Sequence, residues 1–251
     1  MKKLQAVLIS GLTSLAPLAA ETVKFATGVW EPYTGQDLEG KGMVTAIVTA
    51  ACHASGIDAV YSFFPWKRAE ANVESGASFA TFPYQEIQER EGQFYFSEII
   101  CSSGMELLVH GGNVKTDDFE YAKPEDLKPF RVGIVAGTDA VKFPLQKIGC
   151  LIEEVQTSEQ NLKKLETGRL DAVIDDRAVL LHALKTLYGS DPAKLSPFRF
   201  MKKSFGAASN YRLMVSRRYP HAKELLERFN AGLKKLKATG EYKAILKKFG
   251  L

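Results

Sequence analysis

Arg90 is the residue of this sequence whose surroundings most clearly suggest chemistry. It lies in the stretch FPYQEIQEREGQFYFSE, residues 82–98, between a segment rich in Glu and Gln and a run of aromatic residues. A guanidinium group presents a planar fork of N–H donors that matches a carboxylate. Two interpretations follow: a solvated arginine on a short helix that begins near Gln85, or a fixed cation that binds an anion.

Both tryptophans follow predicted strands. Trp30 lies in VWEPY, just past the first strand, and Trp66 lies in FFPWKRA, at the start of a helix that also carries Arg68. An indole is a large flat surface that either packs at a hinge or stacks on a ligand. Together with Arg90, three strand ends carry Trp, Trp and Arg, and this pattern favours a ligand-binding cleft.

The familiar signatures of catalysis are absent from the sequence. It has no GxSxG elbow, no phosphate-binding loop and no HExxH motif, and its four histidines lack the spacing of metal ligands. No stretch interleaves basic and aromatic residues as nucleic-acid-binding modules do. We therefore expect no catalytic residue, no metal, no cofactor and no nucleic-acid partner.

The N-terminus is typical of a secretory signal peptide. Two lysines, Lys2 and Lys3, precede a mostly apolar run that ends in small residues before Glu21. That run is too short and too interrupted to span a bilayer. We expect residues 1–20 to be removed as a signal peptide and the mature chain, residues 21–251, to be periplasmic.

The mature chain is nearly neutral and has few cysteines. Without Lys2 and Lys3 the formal charge falls from +4 to +2, which does not indicate a protein that binds polyanions. Three cysteines, Cys52, Cys101 and Cys150, allow one disulfide without indicating which pair forms it. Cys52 and Cys101 lie in apolar patterns, so we expect both to be buried thiols.

Strand and helix signals alternate along the mature chain, as in a mostly parallel α/β protein. The predicted strands are residues 23–26, 59–64, 77–82, 152–156 and 211–216, with two more inside residues 130–140 and just before Asp175 and Asp176. The predicted helices are residues 43–54, 65–76, 158–167 and 221–238, with others after Thr138, after Asp176 and from Glu241.

Two similar α/β units are predicted, and the chain leaves the first unit and later returns to it. This organisation predicts two lobes with a cleft: lobe one is residues 21–101 with 217–251, and lobe two is residues 102–216. Ligands of open α/β sheets bind beyond the carboxyl ends of strands. Arg90, Thr138 and the pair Asp175-Asp176 all follow predicted strands, so each is expected to face one cleft.

A series of stretches resembles family 3 of the bacterial extracellular solute-binding proteins, the polar amino-acid-binding type that serves ABC importers. The stretches are WEPY, GMVTAIVTAACHASGI, EREGQFYFSE, DLKPFRVGIVAGT, GRLDAVIDD and FNAGLKKLKATGEYKAILKKFG. They occur in the order and spacing of the family over residues 21–251. The PWKRA segment resembles a divergent branch whose ligands are often unassigned. The resemblance implies an α/β fold of the type II periplasmic-binding-protein class, with two lobes and a ligand cleft between them.

The resemblance also implies roles for individual residues. Arg90 matches the arginine that clamps the ligand's α-carboxylate, and Thr138 matches the first of two threonines that receive it. Asp176 matches the aspartate that pairs with the α-ammonium, and Trp30 matches an aromatic residue that stacks on the ligand. The implied function is capture of a small polar, amino-acid-like ligand by hinge closure. The implied partner is a membrane permease of an ABC importer, with the binding protein a monomer.

Three departures from the family pattern bear on the ligand. Phe82-Pro83-Tyr84 replaces a small polar pair before the arginine, Asp139 replaces the second threonine, and Asp175 adds an acid beside Asp176. Asp139 would repel a carboxylate, contact a cationic ligand group, or serve only the helix start. A more positive ligand, a larger ring or something other than an α-amino acid is therefore expected. The predicted ligand-binding residues are Trp30, Trp66, Arg68, Tyr84, Arg90, Thr138, Asp139 and Asp176.

Two alternatives to import remain open at this point. The first is an exported enzyme of the same fold, similar to the cyclohexadienyl dehydratases. If the chain were such an enzyme, Glu31, Asp139 or Asp175 would serve as acid or base. A sensory protein of this fold would dock on a receptor instead of a permease. The sequence does not separate sensing from import.

Overall fold

The computed structural model describes residues 21–113, 115–116 and 118–249. The predicted signal peptide, residues 1–20, lies outside the described residues. No helix in the described ranges combines the length and apolar character needed to cross a membrane.

Ten strands and eight α-helices alternate along the described chain. The strands are β1 (Glu21–Thr27), β2 (Ile57–Phe63), β3 (Ala80–Gln85), β4 (Phe94–Phe96), β5 (Cys101–His110), β6 (Arg131–Val135), β7 (Leu151–Val155), β8 (Ala172–Asp176), β9 (Phe198–Phe200) and β10 (Phe205–Ser216). The helices are α1 (Met43–Ala54), α2 (Trp66–Ser75), α3 (Asp139–Lys147), α4 (Ser158–Glu166), α5 (Arg177–Tyr188), α6 (Pro192–Leu195), α7 (Ala222–Thr239) and α8 (Glu241–Lys248). Short 3₁₀ turns occupy Glu39–Lys41, Gln88–Arg90 and Pro124–Leu127.

The strands form a mixed sheet. Its order is β2-β1-β3-β10-β5-β8-β6-β7, with β4 paired to β10 and β9 paired to β5. Strands β1, β2 and β3 are mutually parallel, and so are β6, β7 and β8. Strands β5 and β10 run antiparallel to their neighbours. The mostly parallel arrangement expected from the sequence thus holds within each group of three, but not for the two strands that join the groups.

The joining strands explain the two-lobed architecture. Residues 211–215 of β10 pair with β3, whereas its residues 205–211 pair with β5. In β5, residues 101–105 pair with β10 and residues 105–108 pair with β8. Strand β10 therefore pairs directly with the β1–β3 group, strand β5 pairs directly with the β6–β8 group, and the two strands pair with each other. This confirms the predicted α/β, two-lobed, type II fold. Below, the first lobe means the part built on β1–β4 and the second lobe the part built on β6–β9, while the residue bounds of the lobes stay a prediction.

The C-terminal helices return the chain to the first lobe. Helix α7 packs on α1 so closely that a Cβ added at Gly232 would lie 2.0 Å from the backbone oxygen of Ala51. The α7 side chains Leu225, Phe229 and Leu233 are buried in the same core as α1. This packing joins α7 to the core of the first lobe.

The three cysteines are free and buried. This confirms the expectation of buried thiols for Cys52 and Cys101. Burial raises the pKa of the Cys52 thiol to about 12, and burial likewise raises that of Cys101 to about 12. Both are therefore neutral core groups at physiological pH rather than reactive thiolates.

Candidate functional site

A cavity of about 60 Å³ lies where the carboxyl ends of β1, β3, β6 and β8 meet. It is lined by Trp30, Trp66, Pro83, Tyr84, Gln85, Arg90, Met105, Val135, Gly137, Thr138, Asp139, Ala140, Asp175 and Tyr211. Because β1 and β3 belong to the first lobe and β6 and β8 to the second, the cavity lies between the lobes. Six of the eight predicted ligand-binding residues line it, and Arg68 and Asp176 do not.

Arg90 is buried, so the interpretation of a solvated surface arginine is wrong. It is the last residue of the 3₁₀ turn after β3 and is 5% exposed. Its Nη2 donates to Asp139 Oδ2 at 2.9 Å, and its Nε lies 3.6 Å from Glu70 Oε1. The guanidinium also lies 4.8 Å from the centroid of the Tyr84 ring, within cation–π range. Strand β3 continues to Gln85, where the sequence suggested a helix start.

Asp139 bridges the lobes. It is the first residue of α3, where the helix dipole favours an acidic side chain, and it is buried. Besides Arg90, its Oδ2 accepts from Lys67 Nζ at 3.0 Å. Lys67 in turn lies 3.7 Å from Glu70, three residues further along α2. We call Lys67, Glu70, Arg90 and Asp139 the charge quartet; it has two positive and two negative members, and Asp139 alone comes from the second lobe.

Asp175 is the acid of β8 that faces the cavity. It is buried, and its oxygens accept from Trp30 Nε1 at 2.9 Å, from Ser158 Oγ at 2.5 Å and from the Asp176 amide at 2.8 Å. A carboxylate has about four acceptor positions, so one remains. Burial raises the pKa of Asp175 to about 6, with the neighbouring charge of Asp176 contributing in the same direction. Trp30 belongs to the first lobe, so this hydrogen bond also links the lobes.

Asp176 caps a helix instead of lining the cavity. It precedes α5, and its Oδ1 accepts from the Ala178 amide at 2.8 Å and from the Tyr33 hydroxyl at 2.9 Å. Its Oδ2 accepts from the Ser103 hydroxyl. These neutral donors occupy the carboxylate, which is 3% exposed. The resemblance implied that Asp176 pairs with a ligand ammonium, whereas in the structure Asp175 and not Asp176 lines the cavity.

Trp66 lies between two glycines, one from each lobe. A Cβ added at Gly28, after β1, would lie 2.4 Å from Trp66 Cδ2, and one added at Gly137, after β6, would lie 2.8 Å from Trp66 Cβ. Gly137 also has a φ of 98°, which favours glycine. The Trp66 ring meets the Tyr84 ring edge-on, with centroids 5.8 Å apart. Both strand ends thus lack side chains where this indole packs.

Trp30 forms the other aromatic wall. Its ring centroid lies 4.6 Å from that of Tyr33 and 5.3 Å from that of Tyr211. Tyr211 is the point where β10 changes its partner from β5 to β3, so this wall lies beside the strands that join the lobes. The sequence did not single out Tyr211, because an aromatic residue within a strand is most often a core residue.

The α2 residue that reaches across the cleft is Lys67, not Arg68. Arg68 is exposed and lies outside the cavity lining, whereas Lys67 contacts Asp139. A sequence signal did exist: Lys67 and Glu70 are three residues apart, which places them on one helix face as a charge pair. Which face of a short helix meets the cleft is fixed only by its packing. The sequence analysis chose Arg68, and the residue that contacts the second lobe is its neighbour Lys67.

A second cavity, of about 190 Å³, shares Trp30 and Val135 with the first. Its other lining residues are Val29, Glu31, Thr157, Ser158, Glu159 and Val179. The two charged members, Glu31 and Glu159, are both acidic. Glu31 Oε2 lies 3.0 Å from His182 Nε2 on α5, which adds a further contact between the lobes. Across the part of the chain that the structure describes, no cluster of three His, Cys, Asp or Glu residues could hold a metal ion.

Comparison with known proteins gives consistent matches over nearly the whole chain. The family model described as "Bacterial extracellular solute-binding proteins, family 3" matches residues 24–251. A curated relative from Escherichia coli strain K12, named putative ABC transporter arginine-binding protein 2, is 29% identical over 266 residues and is covered to 99%, as is this chain.

Solved structures show the same fold. An ancestral arginine-binding protein bound to arginine superposes with a TM-score of 0.75 at 23% identity, over 93% of this chain and all of that one. A histidine kinase sensor domain with similarity to periplasmic binding proteins superposes with a TM-score of 0.76 at 20% identity, over 92% of this chain and 96% of that one.

Proposed function

Because the chain belongs to family 3 of the bacterial extracellular solute-binding proteins, we propose that it captures a small polar, amino-acid-like ligand in the cavity between its lobes. The observation that carries this proposal is the position of the cavity. It lies beyond the carboxyl ends of strands from both lobes, where ligands of open α/β sheets bind. Aromatic faces and a few buried charged groups line it, a combination typical of small-molecule sites.

The proposed mechanism is closure about the two joining strands. The first lobe supplies Trp30, Trp66 and Arg90, and the second supplies Thr138 and Asp175. A ligand that touches both sets binds the closed arrangement better than the open one, and so shifts the population towards closure. Thr138 makes no capping hydrogen bond to α3, which leaves its hydroxyl for a ligand.

We further propose that the chain is a binding protein rather than an enzyme and works as a periplasmic monomer. Its partner would be the permease of an ABC importer, since the curated relative from E. coli carries an ABC transporter name. A receptor is the alternative partner. Purified mature chain should stimulate the ATPase of its cognate importer only with ligand, and stimulation of a receptor alone would favour sensing.

A thermal-shift screen of the mature chain tests ligand capture. Amino acids, amines and small carboxylates would be added in turn. At about 100-fold excess over Kd a ligand stabilises the fold by roughly 2.7 kcal/mol. We expect at least one small polar compound to raise Tm for the wild type and for Arg68→Ala, which changes an exposed residue outside the cavity. If no such compound raises Tm, the proposal fails. Recovery of a chemically altered ligand would instead support an enzyme.

A further inference from the structure

The cation that a ligand carboxylate would need is already paired within the protein. Arg90 and Asp139 are both buried, and their 2.9 Å contact joins the lobes. Glu70 lies 3.6 Å from Arg90 on its other side. Lys67 is shared by the same two carboxylates. The charge quartet is therefore neutral as a whole, and no positive charge in it is left over for an incoming anion.

The charge that remains beside the cavity is negative. Asp175 lines the cavity and Asp176 lies next to it, and both carboxylates accept hydrogen bonds from neutral hydroxyl, indole or amide donors. Among the described residues, no lysine, arginine or histidine lies within ion-pair distance of Asp175 or Asp176. Buried carboxylates without a cation favour a positively charged neighbour. Asp175 also keeps one acceptor position for a ligand donor.

The surrounding surfaces suit the same kind of ligand. Trp30, Trp66 and Tyr211 are aromatic residues of the cavity lining, and aromatic rings attract cations through the ring quadrupole. The second cavity, which shares Trp30 and Val135 with the first, has Glu31 and Glu159 as its charged lining residues. Both cavities therefore have acidic side chains in their lining.

We propose that the cleft selects organic amines that lack a carboxylate, in preference to the corresponding α-amino acids. In this assignment Asp139 occupies the position on Arg90 that a ligand carboxylate would take, and the amine nitrogen binds at Asp175 between the aromatic walls. The inference rests on the proposed function and specifies the ligand class of that site. An α-amino acid would bring its carboxylate against Asp139 in a buried place, where like charges repel strongly.

Matched pairs of compounds test the inference directly. Each pair is an amino acid and its decarboxylated amine: arginine and agmatine, lysine and cadaverine, tyrosine and tyramine. Calorimetric titration of the mature wild-type chain should show at least one amine binding about tenfold or more tightly than its amino acid. Tighter binding of the amino acid in every pair that binds would overturn the inference and leave the proposed function intact.

Asp139→Asn supplies the second arm. It frees Arg90, so the variant should bind the amino acid of the pair more tightly than wild type and the amine more weakly. The control is Asp191→Asn, which removes an exposed acid that caps the short helix α6 in the second lobe. Asp191→Asn should leave the ratio of the amine Kd to the amino-acid Kd as it is in wild type. If Asp139→Asn has the same ratio of amine Kd to amino-acid Kd as wild type, the inference is overturned. If neither member of any pair binds and no other compound in the screen does, the proposed function fails, and the inference with it.

Discussion

Arg90 and Asp139 face each other across the cleft, with Nη2 and Oδ2 2.9 Å apart, and both residues are more than nine-tenths buried. Their elements belong to different lobes, so the pair exists only while the lobes are together. Removing one partner leaves a buried charge that water would otherwise solvate. The protein can relieve that cost by opening, which distinguishes this pair from an ion pair in a rigid core.

Arg90→Ala should therefore shift the mature chain towards an open arrangement. Loss of a buried charge pair costs about 2–5 kcal/mol, less whatever Lys67 retains with Asp139. Small-angle scattering without added ligand should give a larger radius of gyration for the variant than for wild type. Arg68→Ala, two residues from Trp66 on the exposed face of α2, should match wild type. Equal radii for wild type and Arg90→Ala would contradict the lobe-linking role.

Gly137→Ala tests the packing of Trp66 at the junction of the lobes. The added Cβ would lie 2.8 Å from Trp66 Cβ, at a backbone φ of 98°. The matched control is Gly168→Ala, which has a φ of 69° and no atom within 4 Å of the added Cβ. Both variants should lose roughly 1–2 kcal/mol of unfolding free energy because Ala at positive φ is strained. Gly137→Ala should lose more than Gly168→Ala because its added Cβ also overlaps Trp66.

The two glycine variants should differ in ligand affinity. Gly137→Ala places a methyl group against Cβ of Trp66, whose ring lines the cavity, so its Kd should rise by about tenfold, while Gly168→Ala should keep the wild-type Kd. Calorimetry with the ligand found in the screen gives both values. Equal affinities would mean that the Gly137–Trp66 contact does not control closure.

Asp175 should make the stability of the protein depend on pH. Burial raises its pKa from an ordinary value of 3.8 to about 6, so between those values the folded state binds more protons than the unfolded state. The contribution of Asp175 to stability is fully present below pH 3.8 and is lost as the pH rises through about 6. Urea unfolding of wild type and Asp175→Asn from pH 4 to pH 8 isolates this contribution. The unfolding free energy of the variant should increase relative to that of wild type as the pH rises. A difference in unfolding free energy that does not change with pH would contradict the prediction.

Asp176 is expected to act on the helix and not on the ligand. Tyr33→Phe removes one hydrogen bond to it and should lower the unfolding free energy by about 1 kcal/mol. Asp176→Ala removes the N-cap of α5 as well and should cost about 2–3 kcal/mol. Asp176→Asn keeps a capping oxygen, and it should change Kd by no more than a few-fold. A loss of thirtyfold or more, about 2 kcal/mol, would restore the implied role of Asp176 as the partner of a ligand ammonium.

Most of the elements could be predicted from the sequence because apolar periodicity and glycine ends mark them, but α6, β9 and residues 205–210 of β10 were not predicted. The same reasoning placed Arg90 and Thr138 after strands; in the structure Arg90 ends the 3₁₀ turn that follows β3, and Thr138 directly precedes α3. It could not reveal that Arg90 and Asp139 are paired, because they are 49 residues apart and meet only through the arrangement of the lobes.

The choice between Asp175 and Asp176 was beyond the sequence for a different reason. All five residues of β8 are buried, so no alternation of polar and apolar side chains marks which face meets the cleft. In a strand that is exposed on one face, alternating polar and apolar residues would have indicated which side chains face the cleft. The resemblance pointed to Asp176, whereas in the structure the next residue back, Asp175, lines the cavity.

The chain contains two tryptophans, and both line the same cavity. One donates its indole N–H to a buried carboxylate of the opposite lobe, and the other packs between the two glycines at the lobe junction. Essentially all tryptophan emission from the molecule therefore originates within the cleft. Opening would wet both rings and shift their spectrum to longer wavelength. The intrinsic tryptophan fluorescence of the protein should therefore report on the opening and closing of the lobes without a dye or an engineered label.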